Sequence, residues 1–377
     1  MITQPNIKIN VVGVGGGGCS IVSRIATLIN QGPGSLISLT AINTDAQALN
    51  NCECENINKV LIGKSLNQGL GSGMDPNRGK AAAEMDKEKL YGVLKNADMT
   101  FLICCLGGGT GSGVLSVLAD LAARAGSLVV GVVTKPFSFE GNQRARIAEE
   151  AISEIEDKVT SIITFSNDRI VDLAREKVRF TAALSLVDKV VAEGVKSVAD
   201  LLITPGIVNI DFSDVKTILG NTGYALIGIG EAGGPDRAAQ AARNVLNSPL
   251  LTFPIDGATG ILFNVAGGEN LSLMEIKEAA DVITESVNKD AKIIFGATRD
   301  DTLGSKVKIT LIAAGLGRVK NAASQISDYI ESPYNPIAQE SKSSDIQTES
   351  KNLPEDSKND DVNFDIPAFI RKKLKEL

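Results

Sequence analysis

Residues 100–113 read TFLICCLGGGTGSG, an apolar run that leads directly into a glycine-rich segment. The apolar part, Thr100–Cys105, has the length of a buried strand. Gly107–Gly113 holds five glycines and two hydroxyl residues, a composition that destabilises regular secondary structure and predicts a loop. A helix is predicted from about Val114. A strand, a glycine-rich loop and a helix in this order are typical of a phosphate-binding turn.

The amino-terminal segment repeats this order. The β-branched run Ile7–Val14 continues into the glycine-rich segment Gly13–Ser20 (GVGGGGCS), and a helix is predicted near Ile21–Ile29. Glycine lets the backbone approach a phosphate, whose charge is stabilised by the amides at a helix start. A third glycine-rich segment, Gly69–Gly73, is predicted to line the same crevice. Two such loops at one edge of a sheet suit a nucleotide with a long phosphate tail, and a tight structural turn is the alternative for the first of them.

Strand and helix signals alternate over residues 1–165. Further short β-branched runs occur at Leu39–Asn43, Leu128–Thr134 and Ser161–Phe165, and a helix with one apolar face is predicted over Arg144–Val159. Buried strands separated by helices predict a Rossmann-like α/β domain with a doubly wound parallel sheet.

A long helix is predicted to follow this sheet. Apolar residues recur every three or four positions over Lys177–Ile203, and no proline interrupts them before Pro205. Such a helix of about 25 residues spans about 37 Å and is long enough to connect two domains. The segments after it predict a smaller C-terminal α/β domain, with strands at Tyr224–Gly230, Gly260–Val265, Lys292–Gly296 and Lys306–Ala314 and helices at Asp236–Asn247 and Ser272–Val287.

The composition changes again after about Gly317. Residues 333–365 are rich in acids, Ser and Asn and poor in large apolar side chains, so they cannot offset their ordering entropy and predict a flexible linker. The last residues change once more, and Asp365–Leu377 is interpreted as a docking peptide, with a frayed terminus as the alternative. Its apolar residues at helical spacing precede the basic residues Arg371, Lys372, Lys373 and Lys375. The predicted divisions are 1–176, 177–203, 204–317, 318–362 and 363–377.

Composition excludes several function classes. The 377 residues contain no His, which removes Ser-His-Asp chemistry, His-based acid–base catalysis and His metal ligands. A net charge of -7 and an aromatic content of 4% argue against nucleic-acid binding. No apolar run approaches the ~20 residues that cross a bilayer, and no secretory signal is evident, so we expect a cytoplasmic protein.

The cysteines do not form a disulfide pattern. Their number is five and no Cys-x-x-Cys occurs, so they are interpreted as small buried apolar residues. A zinc site built from Cys52, Cys54, Cys104 and Cys105 is the alternative, although neither pair has the usual ligand spacing.

Five other segments, taken with Gly107–Gly113, resemble bacterial members of the tubulin/FtsZ family. They read AINTDAQAL, TKPFSFEG, NIDFSDV, SPLL and DIPAFIR, and they begin at residues 41, 134, 209, 248 and 365. The resemblance covers about residues 6–317 and the last dozen residues. It implies a GTPase that binds GTP or GDP, with Mg²⁺, and polymerises head to tail into filaments that form the division ring beneath the membrane.

The resemblance also implies site residues. Glu140 and Arg144 contact the ribose and phosphate region, and Asn167 and Asp188 face the guanine. The residues implied to contact the rest of the nucleotide are Gly15, Gly16, Gly17, Gly18, Cys19, Ser20, Gly71, Gly107, Gly108, Gly109, Thr110 and Gly111. Those implied to bind membrane-tethering division proteins are Ile366, Pro367, Phe369, Ile370 and Arg371.

Asn209, Asp211 and Asp214 match the family's loop that completes the catalytic site of the neighbouring subunit. From the residues alone, simple helix capping before Val215–Leu219 is the alternative for the two Asp residues.

Three positions depart from the family pattern, and each lies near the guanine in members of that family. Ser20 stands where Asn is common, Leu184 where a stacking Phe is common, and Lys189 where a second Asp is usual. We therefore expect weaker discrimination between purine bases. Two other functions remain open: a structural scaffold with little or no GTP hydrolysis, against which the two retained Asp residues argue, and an NAD-binding oxidoreductase that uses Gly13–Gly18 and Asp45.

Overall fold

The structure, a computed structural model, describes residues 7–29, 35–52, 54–172, 179–204, 206–220, 223–248 and 250–316. The strands in these ranges are β1 (Ile9–Val14), β2 (Ile37–Asn43), β3 (Ile57–Leu61), β4 (Met99–Cys105), β5 (Leu128–Lys135), β6 (Ser161–Ser166), β7 (Gly223–Gly233), β8 (Gly260–Gly267), β9 (Lys292–Arg299) and β10 (Lys306–Ala314). The α-helices are α1 (Gly15–Leu28), α2 (Ala46–Asn50), α3 (Lys64–Asn67), α4 (Pro76–Met85), α5 (Lys87–Leu94), α6 (Gly109–Arg124), α7 (Asn142–Ile155), α8 (Asn167–Asp172), α9 (Phe180–Ile203), α10 (Phe212–Leu219), α11 (Arg237–Leu246) and α12 (Leu273–Thr284).

The strands form one sheet in the order β3-β2-β1-β4-β5-β6-β7-β10-β8-β9. Neighbours from β3 to β7 are parallel, whereas β10 is antiparallel to both β7 and β8. The two halves join through a short parallel register of β6 with β7, from Ser161↔Gly223 to Ile163↔Ala225. The predicted doubly wound α/β fold is confirmed. The boundaries of the predicted domains remain a prediction.

Alternation along β1 explains the helices on both faces of the sheet. Ile9 and Val11 are buried on the face covered by α1 and α9, and Val12 and Val14 are buried on the face covered by α4–α7. The buried face of helix α9 packs against both halves of the sheet, which accounts for its length. Val191 packs in the same cluster as residues of β7, β8 and β10.

Two glycine segments are helical where the sequence predicts loops. Helix α1 begins at Gly15 rather than near Ile21, and α6 begins at Gly109 rather than at Val114. For α6, close packing against α4 is the physical reason why glycines occupy its first turns. A Cβ at Gly113 would lie 2.0 Å from the Pro76 carbonyl oxygen. The lack of side chains, which lowers helix propensity locally, is what permits this approach.

Strand β3 was not predicted, because its central residues Asn58 and Lys59 are exposed and give it no apolar run. The predicted linker and docking peptide lie outside the described residues. None of the helices in the described ranges combines the length and apolar character needed to cross a bilayer.

Candidate functional site

Three glycine-containing segments meet at the carboxyl ends of β1, β2 and β4. A Cβ placed on Gly15 would lie 3.1 Å from the Gly111 amide nitrogen, so the first two segments are in contact. A Cβ on Gly109 would lie 2.5 Å from Ser72 Oγ, which brings in the third segment, where Gly71 lies. The structure therefore brings together all three glycine-rich segments of the sequence.

Both helices that begin in these segments have uncapped amino ends. Neither α1 nor α6 has a side-chain cap or an acidic residue in its first turn. The first backbone amides of a helix have no intrahelical partner, and the helix dipole favours an anion beside them. A Cβ on Gly16 or on Gly108 would meet nothing within 4 Å, so both helix ends border open space. This arrangement is suited to binding phosphate groups.

Two cysteines lie directly under the glycine segments. A Cβ on Gly17 would meet Cys105 Sγ at 2.4 Å, and one on Gly111 would meet Cys104 Sγ at 2.6 Å. Burial raises the pKa of the Cys105 thiol to about 11, so this thiol stays protonated. Within the described ranges, no group of three or more Cys, Asp or Glu side chains is arranged to hold a metal ion.

The thiol of Cys19 is buried in the first turns of α1. Its sulfur lies 3.9 Å from the carbonyl oxygen of Gly13 and 3.6 Å from that of Ile42, within hydrogen-bonding distance of both. A hydrogen bond from Cys19 lowers the pKa of the Cys52 thiol to about 6. Cys19 thus anchors the first glycine segment to β2 and to the residues after α2.

Helix α1 is joined to α9 by polar contacts. Ser20 Oγ donates to Asp188 Oδ2 at 2.5 Å, and Arg24 Nη2 donates to Ser185 Oγ at 2.8 Å. Burial raises the pKa of the Asp188 carboxyl group, and the Ser20 hydrogen bond partly opposes that shift. The departure at position 20 therefore supplies a donor to the carboxylate that the resemblance assigns to the base.

Asn167 has a buried amide oxygen without a partner. The residue is 7% exposed, and within the described part of the chain Oδ1 accepts no hydrogen bond. A buried acceptor left unpaired is costly, so its presence indicates a ligand donor. Guanine carries N–H donors on its Watson–Crick edge, in the position where adenine offers an acceptor.

Glu140 and Arg144 are paired with each other beside the second glycine segment. Arg144 Nη1 donates to Glu140 Oε2 at 2.5 Å, and Glu140 Oε1 accepts from the Phe137 amide at 3.1 Å. A Cβ on Gly107 would lie 3.0 Å from the Arg144 carbonyl oxygen. The guanidinium, whose side chain is 38% exposed, is thus held next to the open space.

The side chains of Leu184 and Lys189, the other two residues that depart from the family pattern, have different environments. Leu184 is 41% exposed, whereas Lys189 forms an ion pair with Glu193 at 3.8 Å. Phe180, one turn before Leu184, is 60% exposed, and its ring centroid lies 6.2 Å from that of Phe139. Neither aromatic side chain was assigned to the site from the sequence, although the PFSF run at 136–139 is a signal for Phe139.

Asn209, Asp211 and Asp214 lie apart from the glycine segments. They follow α9, whose end at Ile203 is about 22 Å beyond Asp188 at 1.5 Å per residue. Asp211 Oδ1 accepts from the Asp214 amide at 2.8 Å and caps α10, which is the structural role that the sequence left open. Asn209 Oδ1 accepts from the Gly206 amide at 2.6 Å. Val208, the residue before them, pairs with Ala297 of β9, which lies six strands from β4 in the sheet, so these carboxylates are far from their own subunit's glycine segments.

Sequence comparison covers most of the described chain. Residues 8–175 match the family model described as the GTPase domain of the Tubulin/FtsZ family, and residues 223–317 match the C-terminal domain of the FtsZ family.

Solved structures agree with these matches. An empty FtsZ dimer from M. jannaschii is 36% identical, with a TM-score of 0.77 over 84% of this chain and 90% of that one. Two proteins from Haloferax volcanii, GDP-bound monomeric CetZ1 and a GTPγS-bound CetZ2 protofilament, are each 22% identical. Their TM-scores are 0.73 and 0.71, over 86% of this chain and 99% and 98% of theirs, and show the shared fold.

Proposed function

The chain belongs to the tubulin/FtsZ family, and on that basis we propose that it hydrolyses GTP and polymerises head to tail into filaments of a cytoplasmic division ring. The observation that carries the proposal is the pair of uncapped helix amino ends, which lie in segments that contact each other and border open space. The relative that is 36% identical to this chain is described as an FtsZ dimer, which supports self-association.

Phosphate binding rests on backbone groups and one cation. The amides of the first turns of α1 and α6 donate to phosphate oxygens, while Arg144 supplies a charge at the edge of the same space. Mg²⁺ accompanies the phosphates in this proposal. A bound Mg²⁺ would neutralise part of the phosphate charge and polarise the γ-phosphate.

Catalysis is divided between two subunits. Asp211 and Asp214 lie beyond the carboxyl end of α9 and act on the nucleotide of the next subunit in the filament. Their carboxylates orient and polarise the attacking water, and hydrolysis of a γ-phosphate needs such positioning more than a covalent group. Turnover is therefore coupled to assembly.

The proposal is tested by sedimentation with GTP, with phosphate release measured in the same tube. We expect both to begin at the same protein concentration. Assembly without phosphate release would favour the structural scaffold, and binding of NAD instead of GTP would favour the oxidoreductase.

We expect ATP to compete with labelled GTP, but only at large excess. The unpaired Asn167 oxygen favours guanine, whereas Ser20, Leu184 and Lys189 relax the rest of the base site. Buried polar groups that read a base edge discriminate by about 10⁴-fold or more, so competition below an excess of ATP of about 10⁴-fold is the expected result. Asn167→Ala is expected to bring the two affinities closer together. If ATP fails even at about 10⁴-fold excess, the departures do not weaken discrimination.

The terminal peptide is proposed to bind a membrane-tethering division protein. Ile366, Phe369 and Ile370 recur at helical spacing, and Arg371 follows them. Deletion of residues 365–377 is expected to abolish recruitment to the membrane and to leave GTP-dependent assembly in solution unchanged. Normal localisation of the truncated protein would contradict the tether, and loss of assembly would assign the peptide to filament formation.

A further inference from the structure

Three buried hydroxyl groups meet beneath the second glycine segment. Thr44 Oγ1 lies 2.6 Å from Thr110 Oγ1, and Ser72 Oγ lies 3.0 Å from the same Thr110 oxygen. Thr44, Ser72 and Thr110 are 0%, 5% and 9% exposed. Thr44 follows β2, Ser72 lies between α3 and α4, and Thr110 is in the first turn of α6. The three hydroxyls therefore join the three connections that border the proposed phosphate site.

Hydrogen-bond accounting fixes the direction of these contacts. A hydroxyl group has one proton to donate and two lone pairs with which to accept. In the described part of the chain, Thr110 Oγ1 is the sole partner of the Thr44 and Ser72 hydroxyls. If Thr110 donated to either neighbour, that neighbour's own proton would be buried without an acceptor. Both neighbours therefore donate to Thr110, and the Thr110 proton remains to be donated elsewhere.

We propose that Thr44 and Ser72 are positioning residues that direct the Thr110 hydroxyl proton onto a phosphate oxygen of the bound nucleotide. Thr110 lies between Gly109 and Gly111, whose amides border the space that receives phosphate. Hydrogen bonds in a chain polarise one another, so the two donors also strengthen the donation by Thr110. The proposal rests on the proposed binding of GTP and names two hydroxyl residues that the glycine pattern does not identify.

The fold around Ser72 does not depend on its hydroxyl group. The Gly71 amide donates to the Thr44 carbonyl oxygen at 3.2 Å, and the Ala46 amide donates to the Gly69 carbonyl oxygen at 2.9 Å. The Asp75 amide donates to the Ser72 carbonyl oxygen at 3.2 Å. These backbone bonds persist in Ser72→Ala, so this variant isolates the side-chain contact.

Ser72→Ala is expected to weaken GTP binding about fivefold to tenfold, measured by titration with a fluorescent GTP analogue. Thr44→Val, which keeps the side-chain shape, is expected to weaken it by a similar factor. Ser116→Ala is the matched control, because its Oγ is buried in the same helix as Thr110 but has no partner in the described residues. It is expected to bind GTP as the unaltered protein does.

Combination with Thr110→Val separates positioning from a general structural effect. If Ser72 acts through Thr110, Ser72→Ala causes no further loss once the Thr110 hydroxyl is absent. An equal loss in both backgrounds, or unchanged GTP binding by Ser72→Ala, would overturn the proposal while GTP binding itself stands. Failure of the unaltered protein to bind GTP would overturn the proposed function and this inference with it.

Discussion

Asp214→Ala is expected to lower GTP turnover by on the order of 10²-fold or more and to leave GTP affinity nearly unchanged. The carboxylate lies beyond the end of α9, away from the subunit's own glycine segments, so its loss removes a group that orients water in the neighbouring site. Phosphate release at saturating GTP measures the first effect, and nucleotide titration measures the second. Unaltered turnover would show that this acid does not act in hydrolysis.

Asp211 needs a substitution that preserves its capping hydrogen bond. Asp211→Asn keeps an oxygen that accepts from the Asp214 amide, and Asn is as good a helix cap as Asp. We expect the thermal midpoint to stay constant while turnover falls. Ser213→Ala, on the exposed side of the same helix, is the control and is expected to change neither. A fall in the thermal midpoint of Asp211→Asn that matched the loss of turnover would assign Asp211 a structural role alone.

Gly108→Asp is expected to weaken GTP binding on the order of 100-fold or more. Gly108 has an extended backbone (φ -99°), and a Cβ there would meet nothing within 4 Å, so the variant folds. Its carboxylate would enter the space in which phosphate binds, where the like charges repel. Gly92→Asp, on the exposed surface of α5 and also free of neighbours, is the matched control and is expected to bind normally.

Mixing the two kinds of variant tests catalysis between subunits. Gly108→Asp subunits bind GTP only weakly but keep both acids, whereas Asp214→Ala subunits bind GTP but lack one acid. In mixed filaments, contacts between the two variants restore a complete site, and we expect turnover to exceed that of either variant alone. Co-sedimentation of both variants without recovered turnover would contradict the division of the site between subunits.

Most of the sheet was predictable because most of its strands are buried and apolar. The bounds of β10 agree with the prediction at both ends, and β4 differs by one residue. Strand β3 was missed because exposed polar residues interrupt its apolar pattern. The start of α6 was misplaced because propensity is local, whereas the packing of Gly113 against Pro76 is tertiary.

The site was predictable only in part. Glycine composition identified the segments proposed to bind phosphate, but the roles proposed for Asn167 and Asp188 came from family resemblance. The contact of Thr44 with Thr110 joins residues 66 positions apart, and no local pattern reveals it. The unpaired oxygen of Asn167 likewise depends on how deeply the side chain is buried, which cannot be inferred from the sequence.

The close packing of α4 on α6 affects how substitution data on this protein are interpreted. A Cβ at Gly79 would lie 2.3 Å from the Gly109 carbonyl oxygen, so this glycine and Gly113 are constrained by backbone contact. Substitution at either would move the first turn of α6 and disturb the amides that begin there. Intolerance to mutation at these two positions therefore reports steric exclusion between helices. A nucleotide site inferred from a map of all intolerant positions would include both glycines, and it would be larger than the set of residues that contact the nucleotide.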